Sequence, residues 1–193
     1  TREEAECDMV LLGLLGMHDP PREGVRDAVL DCLRGGIVVH MLTGDHLGTA
    51  ISIAKEVGIV KEGAHKENFA MNALQFDQLK DRQLDEMVEL PLVVARCTPE
   101  SKVKMVSSLH RRQKVVAMTG DGVNDAPAIT AADVGVAMGR SGSEVTRQAA
   151  HIVLSDDNFV SIVSAIREGR RIFLSIKKFV VHCLATNMGM IIL

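Results

Sequence analysis

Two short strings, Thr43-Gly44-Asp45 and Thr119-Gly120-Asp121, each close an apolar run and each lead into residues spaced like the face of a helix. Residues 37–42 precede the first string, and Leu47, Ala50, Ile51, Ala54 and Val57 follow it before Gly58. Val115 and Val116 lead into the second, and residues 126–132 follow it. Aliphatic and β-branched runs predict strands, and i, i+3, i+4 spacing predicts helices. Glycines between them let the backbone turn tightly where a strand ends. Strand, turn and helix make one βα unit. The alternation goes on through 92–97, 99–109, 134–138, 143–150 and 152–154. Such repetition with short turns predicts an α/β fold, a parallel sheet with helices on both faces.

Composition narrows the classes of partner. The 193 residues are 47% apolar, enough for one α/β core plus an extension rather than a disordered chain. Net charge is −3, from 22 basic and 25 acidic residues, and there is no Trp or Tyr. Neither a basic surface nor an aromatic stacking platform is present, so a nucleic-acid partner is not expected. Cys7, Cys32, Cys97 and Cys183 are scattered without a Cys-x-x-Cys pair and read as small buried hydrophobes or free thiols of a reducing compartment. No signal peptide opens the sequence.

The remaining segments are less regular. Residues 9–17 form an apolar run that predicts a strand stopped by Pro20-Pro21. Asp19-Pro20-Pro21-Arg22 reads as a helix start with proline in its first turn. Val25, Ala28, Val29, Cys32 and Leu33 make a helix face closed by Gly35-Gly36. Residues 61–90 are polar and irregular, which predicts a surface excursion with a short helical stretch near 79–87. From Phe159 a single helical pattern runs to the last residue. Arg167, Arg170, Arg171, Lys177 and Lys178 stud its first half, while 179–193 carry no charge apart from a proton His182 can take up. Fifteen such residues fall short of the roughly 20 that span a bilayer, as in a buried core helix. The cationic cluster just ahead suits the cytoplasmic flank of a membrane segment, so a truncated transmembrane helix is the expectation.

In a parallel α/β sheet, ligands sit at the carboxyl ends of the strands. Thr43, Gly44, Lys102, Asp121, Asn124 and Asp125 all fall just past predicted strand ends or in the first turn of the next helix. The oxygen-bearing side chains of Asp121, Asn124 and Asp125 can hold a hard cation, and few carboxylates plus water is how Mg²⁺ is usually bound. Lys102 offers a mobile point charge, and the Thr43 hydroxyl and Gly44 amide offer neutral donors, the groups that phosphoryl transfer needs. A bare Gly-Asp-Gly is an ordinary surface turn; longer strings are more specific.

Residues 118–128, Met-Thr-Gly-Asp-Gly-Val-Asn-Asp-Ala-Pro-Ala, resemble the hinge motif of the P-type cation-transporting ATPases. Thr43-Gly44-Asp45, Thr98-Pro99-Glu100-Ser101 between Arg96 and Lys102, and Asp156-Asp157-Asn158-Phe159 follow in that family's order. The similarity extends over essentially the whole sequence. Met-Leu-Thr-Gly-Asp-His at 41–46 and Leu-His-Arg-Arg at 109–112 are closest to the fungal and protist sodium- or potassium-exporting branch. The family's phosphorylated aspartate lies in Asp-Lys-Thr-Gly-Thr, a string this sequence does not contain.

The resemblance implies a haloacid-dehalogenase-like, Rossmann-like sheet that is incomplete at its N-terminal strand and is followed by a long C-terminal helix. It divides the sequence into the C-terminal portion of a phosphorylation domain (1–158), a stalk helix (159–178) and the start of a transmembrane helix (179–193). Asp121 is implied to bind Mg²⁺ with the absent nucleophile, whose strand is expected beside it. Asn124 and Asp125 would shape the phosphate site. Thr43, Gly44 and Lys102 would hold the aspartyl-phosphate. Asp45 and Arg96, with Lys102, would touch ATP. Asn187 is implied to bind the transported cation, although the Glu that calcium- and sodium/potassium-pumping relatives frequently carry three residues later is here Met190. A multi-pass membrane protein follows, with 1–178 in the cytosol, the plasma membrane favoured, and the lipid bilayer and the remaining pump domains as partners. The expected function is export of Na⁺ or K⁺ driven by ATP, the fragment alone being inactive. A calcium pump, a soluble phosphatase of the haloacid-dehalogenase type and a catalytically dead interaction module stand as alternatives.

Overall fold

The computed structural model describes residues 10, 12, 13, 15, 16, 20–61, 63 and 69–192. Of the strand expected over 9–17, the described residues 10, 12, 13, 15 and 16 form no strand, and Asp19 of the Asp-Pro-Pro-Arg string falls outside the described residues. The first regular element is α1 (Val25–Arg34), closed at Gly35. It is followed by β1 (Met41–Thr43), α2 (Leu47–Glu56), β2 (Ala70–Asn72), α3 (Ala73–Gln78), α4 (Asp81–Glu86) and β3 (Val93–Ala95). Then come α5 (Pro99–Arg111), β4 (Ala117–Gly120), a 3₁₀ turn (Val123–Asp125), α6 (Ala126–Ala131), β5 (Val134–Met138), α7 (Glu144–Ala149), β6 (Ile152–Leu154) and α8 (Phe159–Ile192).

All strand pairs are parallel, but they form two sheets of three strands, ordered β1-β3-β2 and β4-β5-β6. The parallel sheet expected to be incomplete at its N-terminal strand thus consists of two halves, with β1 an outer strand of one and β4 an outer strand of the other. Within each half the register brings strand ends level: Thr43 and Asn72 both pair with Ala95, and Gly120 pairs with Ala137. The carboxyl ends of β1 and β4 thus become neighbours across the split without exchanging ladder hydrogen bonds.

The segment read as a surface excursion is instead part of the core. Phe69, Phe76, Leu84 and Leu90 are buried, and Phe76, Leu84 and Leu90 pack with Val94 and Met105 under α3, α4 and α5. β2 adds a third strand to the first sheet. The Lys104 ammonium donates to the carbonyls of Phe76, Asp77 and Leu79 and so closes the end of α3. Arg112 does the same for α4 through the carbonyls of Leu84 and Met87. Cationic caps of this kind satisfy the last carbonyls of a helix.

Helix α5 starts where Thr98 and Ser101 exchange a capping box with Pro99 at the first turn. The Asp-Pro-Pro-Arg string does not open a helix directly, since α1 begins at Val25. Its Arg22 instead donates to the Asp157 carbonyl, joining the start of the chain to the turn before α8.

Helix α8 runs 34 residues, about 50 Å at the usual rise. Phe159, Ile162, Val163 and Ile166 at its start pack against α1 and against β5 and β6. Arg167 pairs with Asp31 and Arg170 reaches the Gly35 carbonyl, so two cations of the expected stalk bind α1. Further on, Phe173, Phe179, Val181 and Leu184 are exposed. No helix among the described residues is long and apolar enough to cross a membrane.

Candidate functional site

A pocket of about 420 Å³ opens between the two half-sheets, lined by Thr43 and Gly44 from the end of β1, Lys102 from the first turn of α5, and Gly120, Asp121 and Asp125 after β4, with Leu42, Thr119 and Met138 completing it. Residues separated by tens of positions meet there because each stands at the carboxyl end of a parallel strand or at the start of the helix that follows. Five of the residues singled out from the sequence share this one cleft.

Two carboxylates four residues apart have opposite surroundings. Asp125 is buried, and the Lys102 ammonium donates to its Oδ1. Their side chains keep only 10% and 13% exposure, so the pair is largely withdrawn from water. Its close approach also explains Gly120: a Cβ there would stand 2.5 Å from the Asp125 side chain. Asp121 is exposed, and among the described residues no hydrogen bond or ion pair engages its carboxylate. Asn124 lies exposed in the 3₁₀ turn beside them.

At the end of β1 the Thr43 hydroxyl donates to Asp45 Oδ2 at 2.9 Å and accepts from the Asp45 amide at 3.1 Å. The hydroxyl expected to face the pocket as a free donor is therefore closed on its neighbour. Arg96 stands past β3 with φ +58°, its amide donating to the Asp45 carbonyl. Asp45 and Arg96 are thus tied by backbone at the pocket's edge. The adjoining Cys97 donates its thiol to the Val94 carbonyl, and burial pushes that thiol up to about 11. It stays protonated at neutral pH.

Two residues the sequence reading passed over hold the loop after β4. The Ser143 amide donates to the Asp121 carbonyl and the Thr146 hydroxyl to the Gly122 carbonyl, each at 2.9 Å. The signal available was Ser143 three residues before Thr146, a helix cap whose hydroxyls have a second use. Asp157 is a third. Its carboxylate accepts from the amides of Arg140 at 2.9 Å and Ser141 at 2.7 Å, fixing the turn that leads into α7. Those amide donors hold its carboxyl down at about 2.

Among the described residues no group of three or more His, Cys, Asp or Glu side chains could by itself hold a metal ion. The donor set at the pocket is one unpartnered carboxylate beside open space, which fits a Mg²⁺ that keeps most of its ligands as water and phosphate oxygen. Asn187 is not part of this cleft. It lies exposed on α8, about 40 Å along the helix from its first turn.

Residues 2–133 match the haloacid dehalogenase-like hydrolases, and 101–166 match a second group with the same description. The chain belongs to the haloacid dehalogenase-like hydrolase family. Among its curated relatives within that family, the sodium/potassium exporting P-type ATPase 2 of Saccharomyces cerevisiae is 50% identical over 97% of this chain and 18% of its own length. The P-type sodium-transporting ATPase4 of Toxoplasma gondii is 47% identical over 100% of this chain and 15% of its own. A calcium-transporting ATPase of Bacillus subtilis is 46% identical over 98% and 21%. The chain spans about a fifth of the length of such relatives. A solved structure of the catalytic domain of a CPx-ATPase, CopB-B, described for its changes upon nucleotide binding, aligns with a TM-score of 0.57 and 26% identity, over 77% of this chain and 46% of that one.

Proposed function

We propose that this haloacid dehalogenase-like chain is the C-terminal portion (1–158) of the phosphorylation domain of an ATP-driven pump exporting Na⁺ or K⁺, with 159–178 as its stalk. Residues 179–193 would begin a transmembrane helix. The observation that carries the proposal is the meeting of Thr43, Gly44, Lys102, Asp121 and Asp125 in one cleft between two half-sheets. β1 and β4 each have a single ladder neighbour, so each keeps an edge with which one further parallel strand would pair. A strand bearing an aspartate nucleophile would place it against Asp121 and Lys102. The full protein would then sit in a membrane, the plasma membrane by preference, with ATP, the cation, lipid and the remaining pump domains as partners.

On this reading Asp121 holds Mg²⁺, which when bound supplies charge neutralisation at the phosphoryl oxygens. Lys102 lies within reach of those oxygens on its flexible stem and stabilises the charge that spreads over them. The Gly44 amide adds a neutral donor, and the Thr43 hydroxyl adds another once it turns from Asp45. Asn124 and Asp125 shape the loop. Asp45 and Arg96, at the pocket's edge, meet the nucleotide. Asn187, far along α8 and away from the phosphate site, would bind the transported ion. The calcium-transporting relatives keep a Ca²⁺ pump as the second reading. A full-length pump carrying Asp121→Asn tests the proposal: nucleotide binding should persist while phosphoenzyme formation from labelled ATP falls by two orders of magnitude or about that. Wild-type phosphorylation at ordinary Mg²⁺ would refute the assignment.

A further inference from the structure

Asp121 occupies a two-residue link between β4 and the 3₁₀ turn, and the second residue of that link is a glycine with no side chain to limit its rotation. Gly122 is nevertheless held. Its carbonyl accepts from the Asp125 amide at 2.9 Å and from the Thr146 hydroxyl at 2.9 Å, which uses both lone pairs of that oxygen. The Asp121 carbonyl is held in turn by the Ser143 amide at 2.9 Å. Thr146 is fully buried and lies in α7, an element that contributes no lining to the pocket. Its amide donates to Ser143 Oγ at 3.1 Å, so the cap of α7 would persist without the Thr146 hydroxyl. The hydroxyl also lies 2.6 Å from Ser143 Oγ, so it links the cap of α7 to the Gly122 carbonyl.

We propose that Thr146 is a positioning residue of the phosphate site: by fixing the Gly122 carbonyl it sets the direction of the Asp121 carboxylate and so the site's affinity for a divalent cation. The inference rests on the reading of Asp121 as the Mg²⁺ ligand. Groups that orient a metal ligand without touching the metal commonly change affinity by about ten- to a hundredfold when removed.

Full-length pumps carrying Thr146→Val, Thr146→Ser, Thr146→Ala or Asp121→Asn would be titrated with Mn²⁺ at saturating inorganic phosphate, and bound Mn²⁺ read by electron paramagnetic resonance. Thr146→Val keeps the shape and loses the hydroxyl, and its Mn²⁺ dissociation constant should rise about tenfold. Thr146→Ser keeps the hydroxyl and should stay within about twofold of wild type, as should fluorescent-nucleotide binding in both. If the valine variant does not fold, Thr146→Ala against Thr146→Ser makes the same comparison. Equal weakening by valine and serine, or none by valine, overturns the proposal while Asp121→Asn still loses Mn²⁺. Normal Mn²⁺ binding by Asp121→Asn would overturn the metal assignment itself, and this proposal with it.

Discussion

The Lys102–Asp125 pair offers a quantitative check on the site's construction, because its two partners should tolerate loss of the other unequally. Removing one member of a buried pair costs about 3–5 kcal/mol when the survivor cannot reach water. Asp125 cannot: it is 7% exposed, its stem is short, and it ends a 3₁₀ turn packed against Gly120. Its remaining donor is the Gly122 amide at 3.4 Å, too long to compensate. Lys102→Met should therefore destabilise the fold by about 3 kcal/mol. Asp125→Asn leaves a cation on a flexible four-carbon stem beside an open pocket, where the ammonium can swing into water. About 1–2 kcal/mol is expected there. The double variant leaves no buried charge and should fall about 2 kcal/mol short of the sum of the singles.

Urea unfolding followed by circular dichroism measures all four proteins, since the chain has no Trp or Tyr for fluorescence. With a slope of about 2 kcal/mol per molar urea, Lys102→Met should lower the midpoint by about 1.5 M. Single-variant costs that add within about 0.5 kcal/mol would refute the coupling, and a larger cost for Asp125→Asn than for Lys102→Met would refute the asymmetry.

The remaining predictions concern titration. Asp157 carries a carboxyl held below its ordinary 3.8, at about 2, so the stability it contributes is present above pH 4 or about that and is lost as pH falls toward 2. Asp157→Asn should flatten the fall of the urea midpoint across that window, and an unchanged acid profile would remove Asp157 from the account. Cys97, pushed up to about 11 by burial, should resist iodoacetamide at pH 7.5 while Cys183 reacts, as peptide mass spectrometry would read. Faster labelling of Cys97 than of Cys183 would contradict the burial.

How far the sequence foretold this arrangement depends on whether the deciding interaction is local. β5 and β6 match the expected 134–138 and 152–154, since short β-branched and aliphatic runs between turn signals carry their own instructions. α5 begins at the expected Pro99 because Thr98 and Ser101 cap it within four residues. β2 was missed because Ala70–Asn72 contains no β-branched residue and gains its strand from pairing with β3. Phe76, Leu84 and Leu90 follow neither period, and only the long-range packing of α3, α4 and α5 buries them. The site divides the same way. Gly120 and Asp121 stand where the turn chemistry put them, whereas the closure of Thr43 on Asp45 and the hold of Thr146 on Gly122 depend on geometry that composition does not encode.

Charge balance links these details to the chemistry proposed. Lys102 and Asp125 neutralise each other, and Asp121 remains, so the cleft carries one net negative charge. A phosphate dianion entering alone meets repulsion from Asp121. A divalent cation entering alone finds a single free carboxylate, a weak site for an ion that dehydrates reluctantly. With both present the total would return to one negative charge, with Asp121 the residue that would hold the cation. Each therefore strengthens the binding of the other by the same factor, as linkage requires. A second free carboxylate, as an unpaired Asp125 would supply, would favour the cation alone and deepen the repulsion of phosphate. Burying Asp125 under Lys102 would keep that carboxylate from a metal held by Asp121 while leaving an ammonium at the pocket wall, and the glycine at 120 is what lets Asp125 come close enough to do so.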